Sequence, residues 1–261
     1  MKNFSLINVE VKKQTAFLTI NNPPVNALNA VVLQELEQCL DHFRQDSSVK
    51  AVILTGAGTF FVAGADIKEF TSLFGQEELA EQAALKGQAL CSKIEQFEKP
   101  VIAAINGACL GGGLELAMSC HMRIASHEAK LGLPEIKLGI IPGYGGTQRL
   151  ARLTNTAKAL ELILTGRFID GKEAEEIGLV NHSVNSAQLL SKASELAEAI
   201  SQKSSLSIKS ALASVLKGID LPLQEGLEFE ASQFGALFGT EDAREGVRAF
   251  IEKRPASFKD Q

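Results

Sequence analysis

Residues 100–118 read PVIAAINGACLGGGLELAM, and the other predicted elements of the chain are arranged around this stretch. It begins with an apolar run, Val101–Ile105, and continues to three glycines at 111–113, after which an apolar segment carries one carboxylate, Glu115. The pattern predicts a buried strand, a tight glycine turn and the start of a helix. Glycine lets a ligand approach the backbone closely, and the first turn of a helix has unpaired N–H groups. Such a turn can therefore hold a developing negative charge beside Glu115.

The segments around this stretch repeat one order of elements. Residues 6–46 begin with two alternating apolar and polar runs, which predict a hairpin, and end with apolar residues at helical spacing, which predict an amphipathic helix. The same strand–strand–helix order recurs over residues 50–97 and 100–120. We therefore expect an α/β protein in which one motif is wound several times into a single core.

The last part of the chain has a different pattern. Residues 205–252 predict two or three helices without a strand partner of their own. We accordingly divide the chain into a core with the functional site over residues 1–200 and a helical region over residues 201–261. A helical region that follows an α/β body is a common place for subunit contacts.

The composition is that of an ordinary globular protein. Hydrophobic residues make up 45% and charged residues 22% of the 261 residues, so the chain can bury a full core. The net charge of −5 comes with no long basic run, which argues against nucleic acid as a partner. No stretch approaches the ~20 apolar residues that cross a bilayer, so we expect no membrane span. The first residues lack a signal-peptide pattern, and we expect a cytoplasmic location.

The cysteines and histidines give no sign of a metal site. The four cysteines show neither a CxxC pair nor a metal-ligand spacing, and buried reduced thiols are the simpler interpretation. The four histidines form no HExxH or related pattern. We therefore expect no metal ion.

Two turns are candidates for an oxyanion hole. Residues 63–66 (AGAD) and the glycines at 111–113 each follow an apolar strand, so their N–H groups can face one another across a parallel sheet. Two convergent N–H groups stabilise a carbonyl oxygen as it gains charge. The alternative is that both are ordinary strand-to-helix turns, with Asp66 as a helix cap.

Two glutamates are candidates for proton transfer. Glu115 lies in an apolar helix start, and Glu135 follows Pro134 between apolar neighbours. Partial burial would raise the pKa of both carboxyls and suit them to acid–base chemistry near neutral pH. The alternatives are a partner of the helix dipole for Glu115 and a surface turn for Glu135.

The glycines do not fit a nucleotide site. A dinucleotide fingerprint G-x-G-x-x-G would require glycine at position 116, which is Leu116. A phosphate loop needs Gly-Lys followed by Ser or Thr, but Gly113 is followed by Leu114. Both nucleotide interpretations fail.

Three motifs together resemble those of a known family. Residues 63–68 read AGADIK, residues 106–117 read NGACLGGGLELA, and residues 134–150 read PEIKLGIIPGYGGTQRL. In this order and spacing, over nearly the whole chain, they resemble the enoyl-CoA hydratases of the crotonase superfamily. The resemblance implies a crotonase-like spiral of ββα units with C-terminal helices that build a homotrimer, usually paired into a hexamer.

The resemblance also implies a substrate and roles for four residues. The substrate is an acyl thioester of coenzyme A in an extended cleft, so that coenzyme A is part of the substrate and no cofactor is expected. The backbone N–H groups of Ala65 and Gly112 would hold the thioester oxygen. Glu115 would activate the water that adds to the α,β double bond, and Glu135 would exchange the proton at Cα.

Further substrate contacts follow from the same matches. Lys68, and Lys253 from a neighbouring subunit, are expected at the coenzyme A phosphates, although surface lysines are more often only solvated. Leu133 stands where some hydratases have Gln, which leaves the polarity of the pocket open. The implied substrate-binding residues are Ala63, Asp66, Ile67, Lys68, Gly111, Leu133, Pro134, Gly143, Phe250 and Lys253.

Three alternatives are compatible with the resemblance: an enoyl-CoA isomerase, another CoA-thioester lyase of the same superfamily, and an RNA-binding protein with this fold. Relatives that only shift a double bond usually keep the Glu135 position and have an apolar residue at the Glu115 position, so the presence of both glutamates favours a hydratase over an isomerase. An RNA-binding relative carries a lysine-rich helix in the region of residues 76–97. That region has only two lysines here, against a larger number of glutamates, which disfavours RNA binding. The sequence does not indicate the acyl chain length.

Overall fold

The strands of the computed structural model, which describes residues 4–261 apart from the side chains of Lys68 and Phe70, divide between two sheets. They are β1 (Ile7–Lys12), β2 (Thr15–Ile20), β3 (Ala51–Gly56), β4 (Phe60–Val62), β5 (Val101–Ile105), β6 (Ala108–Leu110), β7 (Met122–Ser126), β8 (Leu131–Gly132) and β9 (His182–Val184). The larger sheet has the order β1-β2-β3-β5-β7-β9, and the smaller sheet has the order β4-β6-β8. All neighbouring strands are parallel except β1 and β2.

Helices connect and cover the sheets. They are α1 (Ala30–Gln45), α2 (Ile67–Thr71), α3 (Glu77–Glu95), α4 (Gly112–Ser119), α5 (Gly146–Leu153), α6 (Thr156–Thr165), α7 (Gly171–Glu176), α8 (Leu189–Ser201), α9 (Ser205–Gly218), α10 (Leu223–Leu237) and α11 (Glu241–Ile251). Short 3₁₀ helices lie at Pro134–Leu138 and Ser186–Gln188. Among the helices described here, none combines the length and apolarity needed to span a bilayer.

The order of the strands confirms the repeated motif. From β3 onward, each unit places its first strand in the larger sheet and its second strand in the smaller sheet before the next helix. The units β3-β4, β5-β6 and β7-β8 therefore advance by one strand in both sheets at once. This is the spiral of ββα units that the sequence predicts, and the antiparallel hairpin β1-β2 begins it.

The apolar runs are long because the larger sheet is covered on both faces. Every residue of β3 and β5 is buried. Val52 and its alternate neighbours pack in the main core, whereas Ala51 and Ile53 pack against α8 in a second core. A strand that is covered on both faces has no polar positions to alternate with apolar ones.

Side-chain caps begin several of the helices. The Asn29 side chain caps α1 by accepting a hydrogen bond from the Val32 N–H at 2.9 Å, and Thr240 caps α11 through the Ala243 N–H at 3.1 Å. The chain after residue 205 forms three helices, α9 to α11. The division of the chain near residue 200 and the role of this region in subunit contacts stay predictions.

One expectation about the central stretch was incomplete. The strand–strand–helix order expected over residues 100–120 includes a second strand, but we assigned no residues to it between the apolar run and the glycine turn. In the structure, the short strand β6 lies between β5 and the glycines, and it pairs with β4 and β8. Its three residues form a strand because they complete the middle of the smaller sheet, which depends on segments distant in sequence.

Helix α4 lies unusually close to β4 because of Gly113. A Cβ atom at this position would overlap the Val62 carbonyl oxygen and lie 2.7 Å from the Val62 Cβ. Only glycine permits this approach. The contact fixes the start of α4 against the smaller sheet, and it thereby fixes the position of Glu115.

We expect Gly113→Ala to destabilise the fold, because the added methyl group has no space against the Val62 backbone. Overpacking of this kind lowers the free energy of unfolding by about 1–3 kcal/mol. Urea denaturation of the wild-type and variant proteins measures the difference. Gly235→Ala is the control, because a Cβ at that helical position meets no atom within 4 Å. Equal stability of Gly113→Ala and the wild type would contradict the prediction.

Candidate active site

Two parallel strands bring the two turns to one edge of the smaller sheet. β4 ends at Val62 and its neighbour β6 ends at Leu110. Parallel strands point their carboxyl ends the same way, and that edge is where ligands bind in parallel sheets. Residues 63–66 and 111–113 follow these strand ends. Both turns contribute to the wall of one cavity.

The backbone around Leu28 fixes the direction of the Ala65 N–H. The Leu28 N–H donates to the Gly64 carbonyl at 2.9 Å, and the Leu28 carbonyl accepts from the Asp66 N–H at 2.8 Å. In a parallel pair, the residue between these two contacts points its own N–H to the opposite side. The Ala65 N–H therefore faces away from Leu28. Gly112 begins α4, so its N–H is among those without a partner inside the helix.

Glu115 is buried in the first turn of α4. Its side chain is 2% exposed. Its Oε1 atom accepts hydrogen bonds from the Tyr144 N–H and the Gly146 N–H, both at 2.7 Å. A Cβ atom on Gly146 would lie only 2.9 Å from Oε1, so glycine is needed for this turn to reach the carboxylate.

The environment of Glu115 suits it to proton transfer at neutral pH. Burial raises its pKa to about 7, and the nearby charge of Glu135 adds to the increase. The Gly146 and Tyr144 N–H groups and the Arg149 guanidinium act in the opposite direction because they favour the ionised form. A carboxyl with a pKa near the ambient pH can both take and return a proton.

Glu135 lies above the glycine turn. It is in the 3₁₀ helix Pro134–Leu138, and a Cβ atom on Gly111 would be 2.6 Å from its Oε1 atom. Gly111 also has φ +52°, so this position excludes a side chain for two reasons. Burial raises the pKa of Glu135. Its Oε2 atom is buried and has no hydrogen-bond partner within residues 4–261, which leaves it available to a bound molecule.

The structure collects most of the predicted site residues around a single cavity of about 1790 Å³. Its wall includes both turns, both glutamates and the α9 helix. The predicted residues that line it are Ala63, Ala65, Ile67, Gly111, Gly112, Glu115, Pro134, Glu135 and Gly143.

Other predicted residues lie elsewhere. Leu133 is fully buried in the main core. The Asp66 backbone bonds to Leu28 beside the cavity. Phe250 is 84% exposed and Lys253 is exposed near the end of α11, outside the lining of this chain's cavity. The side chain of Lys68 lies outside the described residues.

Sequence reasoning missed part of the cavity wall. The cavity is also lined by Gln88 on α3, by Tyr144 in the turn before α5 and by Leu212 on α9. Tyr144 had one available signal, since the only tyrosine of the chain lies within a glycine-rich motif. Nothing in the local sequence of α9 indicates its contact with the site.

Comparisons with known proteins identify the family of the chain. The family model described as Enoyl-CoA hydratase/isomerase matches residues 10–261. A probable enoyl-CoA hydratase of Bacillus subtilis is 51% identical over 98% of this chain and 99% of its own length. A short-chain-enoyl-CoA hydratase of Clostridium acetobutylicum is 44% identical over 95% of this chain and 96% of its own length.

A solved structure extends the agreement to three dimensions. The crystal structure of an enoyl-CoA hydratase from Bacillus anthracis superimposes with a TM-score of 0.94. It is 40% identical in sequence and covers 98% of this chain, which in turn covers 100% of it. The crotonase-like fold and the family resemblance predicted from the sequence are thus confirmed, and the chain belongs to the enoyl-CoA hydratase/isomerase family.

Proposed function

We propose that this protein adds water across the α,β double bond of a 2-enoyl-CoA thioester and so forms a 3-hydroxyacyl-CoA. The observation that carries the proposal is the placement of two carboxyls, those of the buried Glu115 and the half-buried Glu135, in the cavity that the two turns line. Water adds to a conjugated double bond only if the adjacent carbonyl can take up charge. The cavity therefore combines N–H groups that can stabilise this charge with carboxyls that can transfer the protons.

The backbone N–H groups of Ala65 and Gly112 are proposed to hold the thioester oxygen. As hydroxide adds to Cβ, electron density moves onto this oxygen, and two fixed N–H donors stabilise it without reorganisation. Glu115 is proposed to take the proton of the attacking water. Glu135 is proposed to supply a proton to Cα, so that one water molecule is added in total.

The presence of both glutamates distinguishes this reaction from isomerisation. Moving a double bond needs a proton to leave one carbon and return to another, which one carboxyl can perform. Hydration needs a base for water and an acid for carbon. Glu115 has a geometry suited to the first role, because two N–H donors hold its Oε1 atom in place.

Assembly, location and cofactor requirement remain proposals. We propose a homotrimer or a dimer of trimers, and exposed apolar side chains on α9 to α11, such as Val215, Phe234 and Phe250, support it. In such an assembly, Phe250 and Lys253 would reach the cavity of a neighbouring subunit. We further propose a cytoplasmic location and a reaction that needs no metal or cofactor besides the coenzyme A of the substrate.

Short acyl chains are proposed as the preferred substrates. The Tyr144 ring fills the space beside Gly112, where a Cβ atom would lie 3.5 Å from the ring. On the other side, a Cβ atom on Gly87 would overlap the same ring. The ring therefore narrows the cavity next to the proposed oxyanion hole. The relative from Clostridium acetobutylicum, a short-chain-enoyl-CoA hydratase by name, supports this proposal.

We expect Glu115→Gln and Glu135→Gln each to reduce kcat for crotonyl-CoA by about 100- to 10,000-fold, because each removes a proton-transfer group. Loss of the enoyl absorbance measures the rate. Glu81→Gln, an exposed position on α3, is the control and should match the wild type. Full activity in either active-site variant would remove that glutamate from its proposed role.

The wild-type rate should depend on the ionisation of Glu115. Its carboxyl must be ionised to accept a proton from water, and its pKa is raised to about 7. We therefore expect kcat/KM to fall as the pH is lowered through about 7. A pH profile with crotonyl-CoA tests this. An activity that stays constant down to pH 5 would show that the reaction does not depend on this carboxylate.

We expect Tyr144→Ala to change the chain-length preference, since it removes the ring but keeps the backbone N–H that contacts Glu115. The ratio of kcat/KM for crotonyl-CoA to that for 2-decenoyl-CoA should fall by about tenfold or more. Tyr144→Phe keeps the ring and should keep the ratio. The same ratio in all three proteins would exclude the ring as the limit on chain length.

A further inference from the structure

Gln88 contacts the turn that holds Glu115, although it does not contact Glu115 itself. It is a half-buried residue of α3 that lines the cavity. Its side-chain Nε2 donates a hydrogen bond to the Gly143 carbonyl oxygen at 2.9 Å. None of the proposed chemical roles uses this contact.

The Gly143 carbonyl and the Tyr144 N–H belong to one peptide group. A trans peptide group is planar, and its C=O and N–H point in opposite directions. One end of this group accepts from Gln88 at 2.9 Å, and the other end donates to Glu115 Oε1 at 2.7 Å. A single peptide group therefore contacts both Gln88 and the Glu115 carboxylate, and its orientation affects both hydrogen bonds.

We propose that Gln88 is a positioning residue, which holds the Gly143–Tyr144 peptide so that its N–H stays directed at Glu115. The inference rests on the proposed function for its effect on catalysis, but the contact itself does not. Gly143 precedes this peptide group, and glycine permits a wide range of backbone angles. Without an anchor, the peptide group could therefore rotate. Gln88 supplies that anchor.

The neighbouring peptide has a different anchor. The Arg149 Nη1 atom donates to the Tyr144 carbonyl at 3.0 Å, and Glu95 holds the same guanidinium at 2.9 Å. The second donor to Glu115, the Gly146 N–H, follows this peptide in the chain. The turn thus has one neutral anchor and one charged anchor, and each precedes one N–H that contacts Glu115.

The neutral anchor can be removed without changing any charge near Glu115. The titratable groups that act on or respond to Glu115 are Glu135 from the 3₁₀ helix, Arg149 from α5, Cys91 from α3 and the hydroxyl of Tyr144. Gln88 is uncharged, so its replacement by an uncharged residue alters none of them. A change in the titration of Glu115 would therefore report the orientation of the peptide.

The direction of that change follows from the hydrogen bond. The Tyr144 N–H lowers the pKa of Glu115 because it stabilises the ionised carboxylate. If the peptide rotates, this donation weakens and the pKa of Glu115 rises further. A base with a higher pKa is ionised only at a higher pH, so the acidic limb of the pH profile moves upward. If Gln88 served only to pack α3, its replacement would not change the pH at which the acidic limb of the profile lies.

The test compares Gln88→Met, which lacks a donor but has a similar length, with Gln82→Met. Gln82 is exposed on the same helix, so the control carries the same substitution away from the turn. Carbon-13 NMR of the glutamate carboxyls, with the Glu115 signal assigned by its loss in Glu115→Gln, follows the titration without substrate. Kinetics with crotonyl-CoA give kcat and KM over the same pH range.

We expect Gln88→Met to raise the pKa of Glu115 and to reduce kcat by about 10- to 100-fold, as for other groups that orient a catalytic residue, with little change in KM. Gln82→Met should match the wild type in the pKa of Glu115, in kcat and in KM. In the Glu115→Gln background, adding Gln88→Met should cause no further loss, because the two residues act in series.

An unchanged titration of Glu115 in folded Gln88→Met would overturn the inference, whatever the activity. Gln88→Leu, which also lacks a donor, is titrated in parallel, and failure of both variants to fold would assign Gln88 a structural role instead. A raised pKa in a series whose wild type does not hydrate any enoyl-CoA would refute the proposed function and support the anchoring of the peptide.

Discussion

The burial of the Glu115 carboxyl is the constraint on which the rest of the site depends. An ionised carboxylate without partners is very unfavourable in a protein interior, and this one is relieved by two N–H groups from a turn about thirty residues further along the chain. The turn reaches the carboxylate only because Gly146 has no side chain. Helix α4 presents the carboxylate only because Gly113 lets it lie against β4. Gly113, which belongs to the turn predicted to bind a ligand, and Gly146 thus together allow the Glu115 carboxylate to be buried with two hydrogen-bond donors.

The two carboxyls of the cavity behave as a pair with unequal surroundings. Both have a pKa raised by burial, and the charge of Glu135 raises that of Glu115. Glu115 has two fixed donors, whereas the Oε2 atom of Glu135 has no partner among the described residues. Hydration needs one ionised and one protonated carboxyl at the same time, and interacting groups of this kind titrate together rather than singly. The unequal hydrogen bonding makes Glu115 the fixed member and leaves Glu135 free to meet the substrate.

The sequence predicted the spiral well because its signals are local. The apolar run of β5 and the apolar residues at helical spacing before residue 46 depend on neighbouring residues, and both predicted their elements. The repeated order of elements indicated a second strand within residues 100–120, but its three residues form β6 only through pairing with β4 and β8, so the local pattern did not locate it. The family was recognised from three motifs, which also supplied Glu115 and Glu135.

The support of the site was harder to predict than its reactive groups. Leu133 was expected in the pocket because it stands where some hydratases have Gln. A chain that enters a 3₁₀ helix turns successive side chains in different directions, and Leu133 lies in the core. Gln88 gave no signal, since an isolated glutamine on an amphipathic helix resembles any other polar residue. Its contact with Gly143 spans 55 residues of sequence and exists only once α3 has packed beside the turn.

The C-terminal helices connect this local geometry to the size of the cavity. Helix α9 forms part of the cavity wall, so the space for substrate is defined jointly by the spiral and by the last helices. Phe250 and Lys253 lie near the end of α11, outside this wall. Large apolar side chains on α9 and α10 remain exposed in a single chain, and such patches usually mark contacts with other proteins. A residue outside the cavity of its own chain can contribute only to the cavity of another. The exposed apolar side chains of these helices and the position of Phe250 and Lys253 outside the cavity wall therefore support the same proposed assembly.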